Sequence, residues 1–160
     1  MLPEERARQA NYCFGCGGRN PEGLHLDVQV KDFQGQAIYR SRPEHQGFPG
    51  ILHGGIIATL LDEVMGWVMA DSAIWAVTAR MDLRFRRPVP LGGDLLVDGQ
   101  LTRNRGRLLQ TRGRVFSLPD RELLVESDAT FMRVPPDRAR ELDELYRDLL
   151  ASRAERPRAH

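Results

Sequence analysis

The sequence has little of what marks several large protein classes. Its 160 residues include only 2 cysteines, too few for a disulfide-rich scaffold. The net charge is +1, so no overall field favours nucleic acid or an acidic membrane surface as a partner. No apolar run approaches the roughly 18 residues of a membrane span, and the amino terminus lacks a signal-peptide apolar region. We therefore expect a soluble, cytoplasmic single domain.

Hydrophobic periodicity predicts six strands and one long central helix. Apolar and polar residues alternate, as in half-buried strands, over residues 24–30, 36–40, 77–85, 95–103, 107–118 and 123–133. Residues 54–70 instead carry apolar side chains at helical spacing and nearly all round, so we expect this helix to be buried. Further predictions are a polar helix over 1–12, a loop over 43–50 and a charged helix over 137–153.

These elements predict an α+β domain. The long central helix is expected on the concave face of a curled, mostly antiparallel sheet of five to six strands, because nothing else can cover it. The chain divides into an amino-terminal helix and Cys/Gly loop at 1–23, the sheet-and-helix domain at 24–134, and a carboxy-terminal helix and tail at 135–160. We expect tight turns between strands at Asn104-Arg105-Gly106 and at Pro119-Asp120.

One stretch carries most of the functional information. It runs from Gly50 through His53-Gly54-Gly55 into the central helix, with Asp62 nine residues after His53. Two further motifs accompany it, Cys13-Phe14-Gly15-Cys16-Gly17 with Asn20-Pro21-Glu22-Gly23-Leu24, and Arg84-Phe85-Arg86-Arg87-Pro88-Val89-Pro90-Leu91-Gly92. Together they resemble the hotdog-fold acyl-CoA thioesterases, especially the PaaI-like (phenylacetate-pathway) group, and the resemblance covers nearly the whole chain.

The resemblance implies a hotdog fold and hydrolysis of an acyl- or aryl-CoA thioester to the free acid and CoA. It implies no metal or redox cofactor, and a homodimer or homotetramer with sites shared between subunits. Two rival functions stay open: a hotdog hydratase or dehydratase, and a non-catalytic acyl-CoA-binding protein. The acyl chain is also open; candidates for its pocket are Phe48, Met65, Trp67, Met69 and Trp75.

The residues at the mouth of the helix suit an oxygen ligand. Two glycines that open a helix leave unshielded backbone N–H groups at the positive end of its dipole. The resemblance makes the Gly54 N–H the donor to the thioester carbonyl, with Gly55 and Gly47 contacting substrate. His53 is expected to position the carbonyl or to cap local backbone groups.

Asp62 is predicted to be the catalytic carboxylate. An unpaired carboxylate inside a buried helix is costly, so a purely structural Asp62 would have to be satisfied by hydrogen bonds. We expect instead that it lies beside a cleft and activates water or attacks the thioester directly. Glu63 should point about 100° away, towards a sheet edge, a partner subunit or solvent. Thr78 is expected either to hold the attacking water, as in relatives with the same motif, or to be a plain strand residue.

Helix geometry separates the two predicted catalytic groups. Gly54 and Asp62 are eight residues apart, which is about 12 Å along one helix axis. A single thioester carbon cannot lie within hydrogen-bond reach of both. The site should therefore combine Gly54 of one protomer with Asp62 of another, as in the family's dimers.

Three further features remain. Arg84, Arg86 and Arg87 form one basic cluster, and residues 103–107 supply a second; we expect one of them to contact the CoA phosphates. Many PaaI-like members have Asn where this chain has Gly47, so His45 or Gln46 is expected to substitute, or Thr78 to carry more of the role. The cysteine pair has metal-like spacing but no second pair or motif-spaced histidine, so we expect structural thiols and no metal, with a regulatory disulfide as the alternative.

Overall fold

The computed structural model describes residues 11–154 apart from residue 73, so most of the helix predicted at 1–12 lies outside it. The strands are β1 (Gln29–Lys31), β2 (Gln34–Arg40), β3 (Ala76–Phe85), β4 (Asp94–Arg105), β5 (Leu108–Ser117) and β6 (Leu123–Arg133). The helices are α1 (Gly54–Trp67) and α2 (Pro136–Ala154), with short 3₁₀ turns at Pro43–His45 and Ala70–Ser72. No helix in the described part of the chain is long and apolar enough to cross a membrane.

The six strands form one antiparallel sheet in the order β1-β2-β4-β5-β6-β3. The predicted α+β class and strand number are confirmed. Because α1 connects β2 to β3, the chain crosses the sheet and places β3 at its far edge, beside β6. Among the described residues, β3 therefore pairs with β6 alone and leaves one edge open.

A row of small residues seats α1 on the sheet. The row runs across four neighbouring strands and consists of Gly35, Gly99, Gly113 and Ser127. A Cβ at Gly113 would lie 2.9 Å from Leu61 Cδ2, and one at Gly99 would lie 3.0 Å from Val64 Cγ1. Larger residues would push the helix away, so the row sets how closely α1 approaches the sheet.

Only one side of α1 is buried, which corrects the prediction of burial nearly all round. The buried side chains are Ile57, Leu60, Leu61, Val64 and Met65. Each stabilises the fold by roughly 1.5–3 kcal/mol relative to exposure. Ile56, Thr59, Asp62 and Glu63 are only partly covered. The less covered side of the helix therefore carries the polar residues.

Three predicted boundaries are corrected. In the stretch 24–30 the regular strand is only Gln29–Lys31, although Leu24, Leu26 and Val28 are buried. The central helix ends at Trp67 rather than at residue 70. The β4–β5 turn falls at residues 106–107, one step later than predicted, because Gly106 adopts the positive φ of +54° that the turn requires.

Candidate active site

The amino-terminal end of α1 presents a backbone donor. His53 is the N-cap, and its Nδ1 accepts the Gly55 N–H at 2.9 Å. Among the residues that the structure describes, the Gly54 N–H has no hydrogen-bond acceptor. His53 thus accepts the hydrogen bond of the Gly55 N–H, and the Gly54 N–H stays available to donate to another oxygen.

A cleft of about 790 Å³ opens at this end of the helix, and we call it the helix-mouth pocket. Its lining residues are Gly47, Phe48, Ile51, Leu52, His53, Gly54, Ile57, Phe85, Arg86, Arg87, Pro88 and Val89. Gly47 lies so close to His53 that a Cβ there would be 3.1 Å from the histidine Cα. Of the predicted substrate-binding residues, Gly55 and Arg84 do not line the cleft.

The arginines of this pocket are already paired. Arg86 donates to Glu126 at 2.6 Å, and Arg84 shares the same carboxylate at 3.2 Å. The Arg86 hydrogen bond, helped by the nearby positive charges, lowers the pKa of Glu126 below its ordinary value. Arg87 pairs with Glu122 at 2.7 Å. These exposed pairs are weak, so the arginines can exchange their partner for a stronger anion.

His45 and Gln46 do not take the place of the missing asparagine. His45 is only 7% exposed, contacts the Tyr39 hydroxyl and Arg42, and has its pKa lowered chiefly by burial. The Gln46 Oε1 accepts the Gly50 N–H at 3.1 Å. Both side chains hold the loop before α1 in place, so that prediction is wrong for either residue.

Asp62 and Thr78 meet at the carboxy-terminal half of the helix. The Thr78 hydroxyl, on β3, donates to Asp62 Oδ1 at 2.6 Å. The sequence separates them by sixteen residues, yet folding brings them into direct contact. Asp62 is half-buried and Thr78 exposed, so the carboxylate is more accessible to water than the sequence implies.

A second cleft, of about 380 Å³, contains this pair and is called the acid pocket. It is lined by Cys13, Cys16, Asp62, Glu63, Gly66, Trp67, Ala70, Ile74, Trp75, Ala76, Val77, Thr78, Phe131, Asp143 and Tyr146. No lysine, arginine or histidine of the described chain is among them. The pocket therefore combines apolar and aromatic walls with carboxylates.

Helix α2 completes this pocket, which the sequence did not predict. The Trp75 and Tyr146 rings lie 5.1 Å apart, and the Trp75 indole N–H donates to Asp143. Trp67 and Trp75 line the pocket as expected, whereas Met65 and Met69 are 0% and 1% exposed and belong to the core. Phe48 lies in the helix-mouth pocket instead.

Glu63 corrects a second expectation. Of the three surroundings predicted for it, the structure does not show plain solvent: Glu63 is partly buried and lines the same pocket as Asp62, while a partner subunit facing it stays a prediction. Its Oε1 accepts the Trp67 indole N–H at 2.8 Å, and its Oε2 lies 3.6 Å from Cys13 Sγ. The adjacent acid thus contacts the cysteine loop and does not share the hydrogen bond of Thr78.

The two pockets have no lining residue in common. Strand β3 connects them, since Thr78 near its start lies in the acid pocket and Phe85 at its end lies in the helix-mouth pocket. Within one chain the predicted catalytic groups therefore occupy separate clefts.

Comparisons with known proteins find similarity to thioesterases. The family model of the thioesterase superfamily matches residues 49–124, which include α1, β3, β4 and β5. Acyl-coenzyme A thioesterase THEM4 of Bos taurus is 31% identical over 141 residues, covering 87% of this chain and 58% of the relative. The Mus musculus protein of the same name is 32% identical over 93 residues, covering 58% and 40%. The chain thus spans about half the length of these curated relatives.

Solved structures share the architecture. The crystal structure of a thioesterase superfamily protein is 28% identical, with a TM-score of 0.72 over 76% of this chain and 60% of its own. The protein smu.793 from Streptococcus mutans, solved bound to acetyl CoA, is 20% identical, with a TM-score of 0.65 over 68% and 88%. The E. coli PaaI protein from the phenylacetic acid degradation operon is 15% identical, with a TM-score of 0.65 over 69% and 84%.

Proposed function

The chain belongs to the thioesterase superfamily and has the hotdog fold, as predicted, and from that premise we propose that it hydrolyses acyl-CoA thioesters. Water and R–CO–S–CoA give R–COOH and CoA–SH. The curated relatives named acyl-coenzyme A thioesterases support the substrate class. The Streptococcus mutans protein, which has the same architecture, was solved bound to acetyl CoA.

The hydrogen bond between Thr78 and Asp62 is the observation that carries the proposal. It fixes one carboxylate oxygen at 2.6 Å from the hydroxyl, while the second oxygen of this pocket-lining residue has no hydrogen-bond partner among the described residues. That second oxygen can take a proton from water as the water attacks the carbonyl carbon. Alternatively it attacks the carbon itself, forming a mixed anhydride that water then hydrolyses. Both routes need the same carboxylate.

The Gly54 N–H supplies the second requirement, a donor for the oxyanion that develops on the carbonyl oxygen. Because it lies about 12 Å from Asp62 along the helix, the two groups act together only across a subunit boundary. We infer a homodimer in which each acid pocket faces the helix-mouth pocket of the partner. The predicted shared site is thus part of the proposal.

The open edge of β3 supports this dimer. An exposed strand edge offers unpaired backbone groups for pairing, and the apolar side chains Val77 and Phe85 on this strand are 51% and 53% exposed. Two β3 strands pairing antiparallel about a twofold axis between Met81 and Asp82 would place Thr78 of one opposite Phe85 of the other. That register brings the acid pocket of one chain to the helix-mouth pocket of the second.

The composite site also divides the substrate. Arg86 and Arg87 at the helix-mouth pocket are suited to the phosphates of CoA, as the sequence predicted for this cluster. The aromatic walls of the acid pocket, formed in part by Trp67 and Trp75, are suited to the acyl group. The thioester would then lie between them, beside the Asp62 carboxylate.

The test is thiol release from short-chain, long-chain and aryl acyl-CoAs, read with a thiol reagent alongside quantification of the free acid. We expect equal amounts of CoA thiol and acid, and loss of both in Asp62→Asn. Addition of water to an enoyl-CoA without thiol release would instead identify a hydratase. Tight acyl-CoA binding without turnover would identify a binding protein, and either result would overturn the proposal.

A further inference from the structure

A cluster of two thiols and a carboxylate lies beside the acid pair and has no role in the proposed hydrolysis. One donor atom from each of Cys13, Cys16 and Glu63 lies within 4.8 Å of the others. All three residues are partly buried and line the acid pocket. The sequence indicated a metal-like cysteine spacing but no further ligand, because Glu63 meets the cysteines only in the folded chain.

The cysteine loop is shaped to approach this glutamate. A Cβ at Gly15 would lie 2.3 Å from Glu63 Oε2, so glycine at this position leaves room for the glutamate where it stands. A Cβ at Gly17 would lie 2.4 Å from the Cys13 backbone nitrogen, and the Gly17 N–H donates to the Cys13 carbonyl at 2.9 Å. Glycines at these two positions therefore permit a tight turn, which places both thiols beside Glu63 of α1.

The surrounding hydrogen bonds orient the donor atoms. The Cys13 thiol donates to Glu63 Oε2 at 3.6 Å, which holds this sulfur beside the carboxylate. The Trp67 indole N–H holds Glu63 Oε1 at 2.8 Å and leaves Oε2 facing the thiols. Metal ligands in proteins are commonly held in place by such outer hydrogen bonds.

The charge of the cluster is unbalanced. Two thiols and a carboxylate lie within 4.8 Å of one another, and all three groups carry negative charge when they ligate a metal. Asp62 immediately precedes Glu63 in α1, and no basic residue of the described chain lines this pocket. A bound cation would replace the shared protons and neutralise the adjacent negative charges.

We propose that Cys13, Cys16 and Glu63 bind one divalent, thiophilic metal ion, with Zn²⁺ as the ion that fits best. Two thiolates select a borderline-soft metal over Mg²⁺ or Ca²⁺, which prefer oxygen ligands. Three protein ligands leave the fourth tetrahedral position for water from the acid pocket. The ion would fix the cysteine loop against α1, one residue from Asp62. This site goes beyond the proposed hydrolysis and does not depend on it.

The test is metal stoichiometry on the full chain, purified under reducing conditions and dialysed with Zn²⁺ or Co²⁺. We expect one ion per chain after gel filtration, and a thiolate-to-cobalt charge-transfer band in the Co²⁺ form. Cys13→Ser, Cys16→Ser and Glu63→Gln should each weaken binding by at least about tenfold, since even outer-shell changes cost about 10–100-fold. Asp62→Asn is the matched control and should bind the ion undiminished.

Three results would overturn the site. They are a substoichiometric ion content in the reduced protein, unchanged binding in the Cys13→Ser/Cys16→Ser double variant, or binding lost in Asp62→Asn but kept in Glu63→Gln. Circular dichroism of each variant checks that a lost ion does not reflect a lost fold. A Cys13–Cys16 disulfide in protein that binds no ion after reduction would identify a redox pair instead. None of these readouts uses thioester hydrolysis, so failure of the proposed activity is separately visible.

Discussion

The two ends of helix α1 differ in size, charge and chemistry. The helix-mouth pocket is a cleft of about 790 Å³ with a backbone N–H donor and two arginines. The acid pocket is about half as large, has aromatic walls, and contains carboxylates and thiols. One end can stabilise negative charge and the other can supply a base, so neither is complete for hydrolysis. The contrast indicates that the functional unit is larger than one chain.

The same contrast predicts how a substrate lies in the composite site. A CoA thioester carries phosphates at one end and an apolar acyl group at the other, with the reacting carbon between them. The basic cleft and the aromatic cleft match these two ends. Variants that remove one function while preserving the other pocket therefore test the division of roles.

The largest effect is expected for the base. Asp62→Asn removes the carboxylate but keeps the size of the side chain, so the rate of thiol release should fall about 10²–10⁴-fold. Asp94→Asn is the matched control, since Asp94 makes an exposed ion pair with Arg40 and lines neither pocket. Activity of Asp62→Asn within a few-fold of wild type would move the role elsewhere, first to Glu63.

A slightly smaller loss is expected for the oxyanion donor. Gly54→Pro removes only the N–H, because Gly54 is the first residue of α1, where proline is well tolerated. Loss of one such donor costs about 10²–10³-fold in kcat. Gly54→Ala keeps the N–H, and its Cβ would lie an ordinary 3.6 Å from Phe85, so it should retain most activity.

Equal rates in the proline and alanine variants would exclude the Gly54 N–H from catalysis. Circular dichroism and thermal melting of both variants show whether the helix mouth is intact, so that a folding defect is not read as a catalytic one.

Substitution of Thr78 tests whether its hydrogen bond to Asp62 contributes to catalysis in the acid pocket. Thr78→Val should lower kcat about tenfold or more, since a hydrogen bond to a charged group is worth about 1.5–3 kcal/mol. KM should change little, because the hydroxyl donates to Asp62 and so orients the carboxylate for the reaction step. Thr78→Ser keeps the hydroxyl and should remain within a few-fold of wild type. An unchanged kcat in Thr78→Val would reduce Thr78 to a strand residue.

The smallest effect is expected at the rim of the basic pocket. Arg86→Ala should raise KM for acyl-CoA about two- to fivefold with kcat unchanged, since exposed ion pairs are worth roughly 0–1 kcal/mol. Arg103→Ala, on β4 and outside both pockets, is the control and should leave KM unchanged. The same KM in both variants would remove Arg86 from CoA binding.

Much of the fold and part of the site could be predicted from local patterns. The strands show period-two alternation, and the pair His53-Gly54 at a helix mouth was visible as a motif. Asp62 and Thr78 were both predicted, although their contact at 2.6 Å depends on how β3 crosses to the sheet edge.

The remaining features depend on register and long-range packing. The row through Gly35, Gly99 and Gly113 exists only because three strands align these glycines. Glu63 meets Cys13 across fifty residues, and α2 returns to cover Trp75 from a distant part of the chain. No local pattern encodes such contacts, which explains why the prediction for Glu63 named a sheet edge, a partner subunit or solvent and not the cysteine loop.

Complementation between two inactive variants tests the shared site most directly. Gly54→Pro and Asp62→Asn homodimers should each be nearly inactive, because every site lacks one half. In a heterodimer, Gly54 of the Asp62→Asn chain meets Asp62 of the Gly54→Pro chain, so one of the two sites is whole. Random pairing makes half the dimers mixed, and about a quarter of wild-type activity should return.

The measurement is thiol release after the two variants are unfolded together and refolded as an equimolar mixture. Each variant refolded alone is the control, with sedimentation velocity used to establish that dimers have formed. Recovery near a quarter of the wild-type rate is the result that the shared site predicts. Refolded, dimeric mixtures that stay as inactive as the separate variants would contradict it and return both functions to one chain.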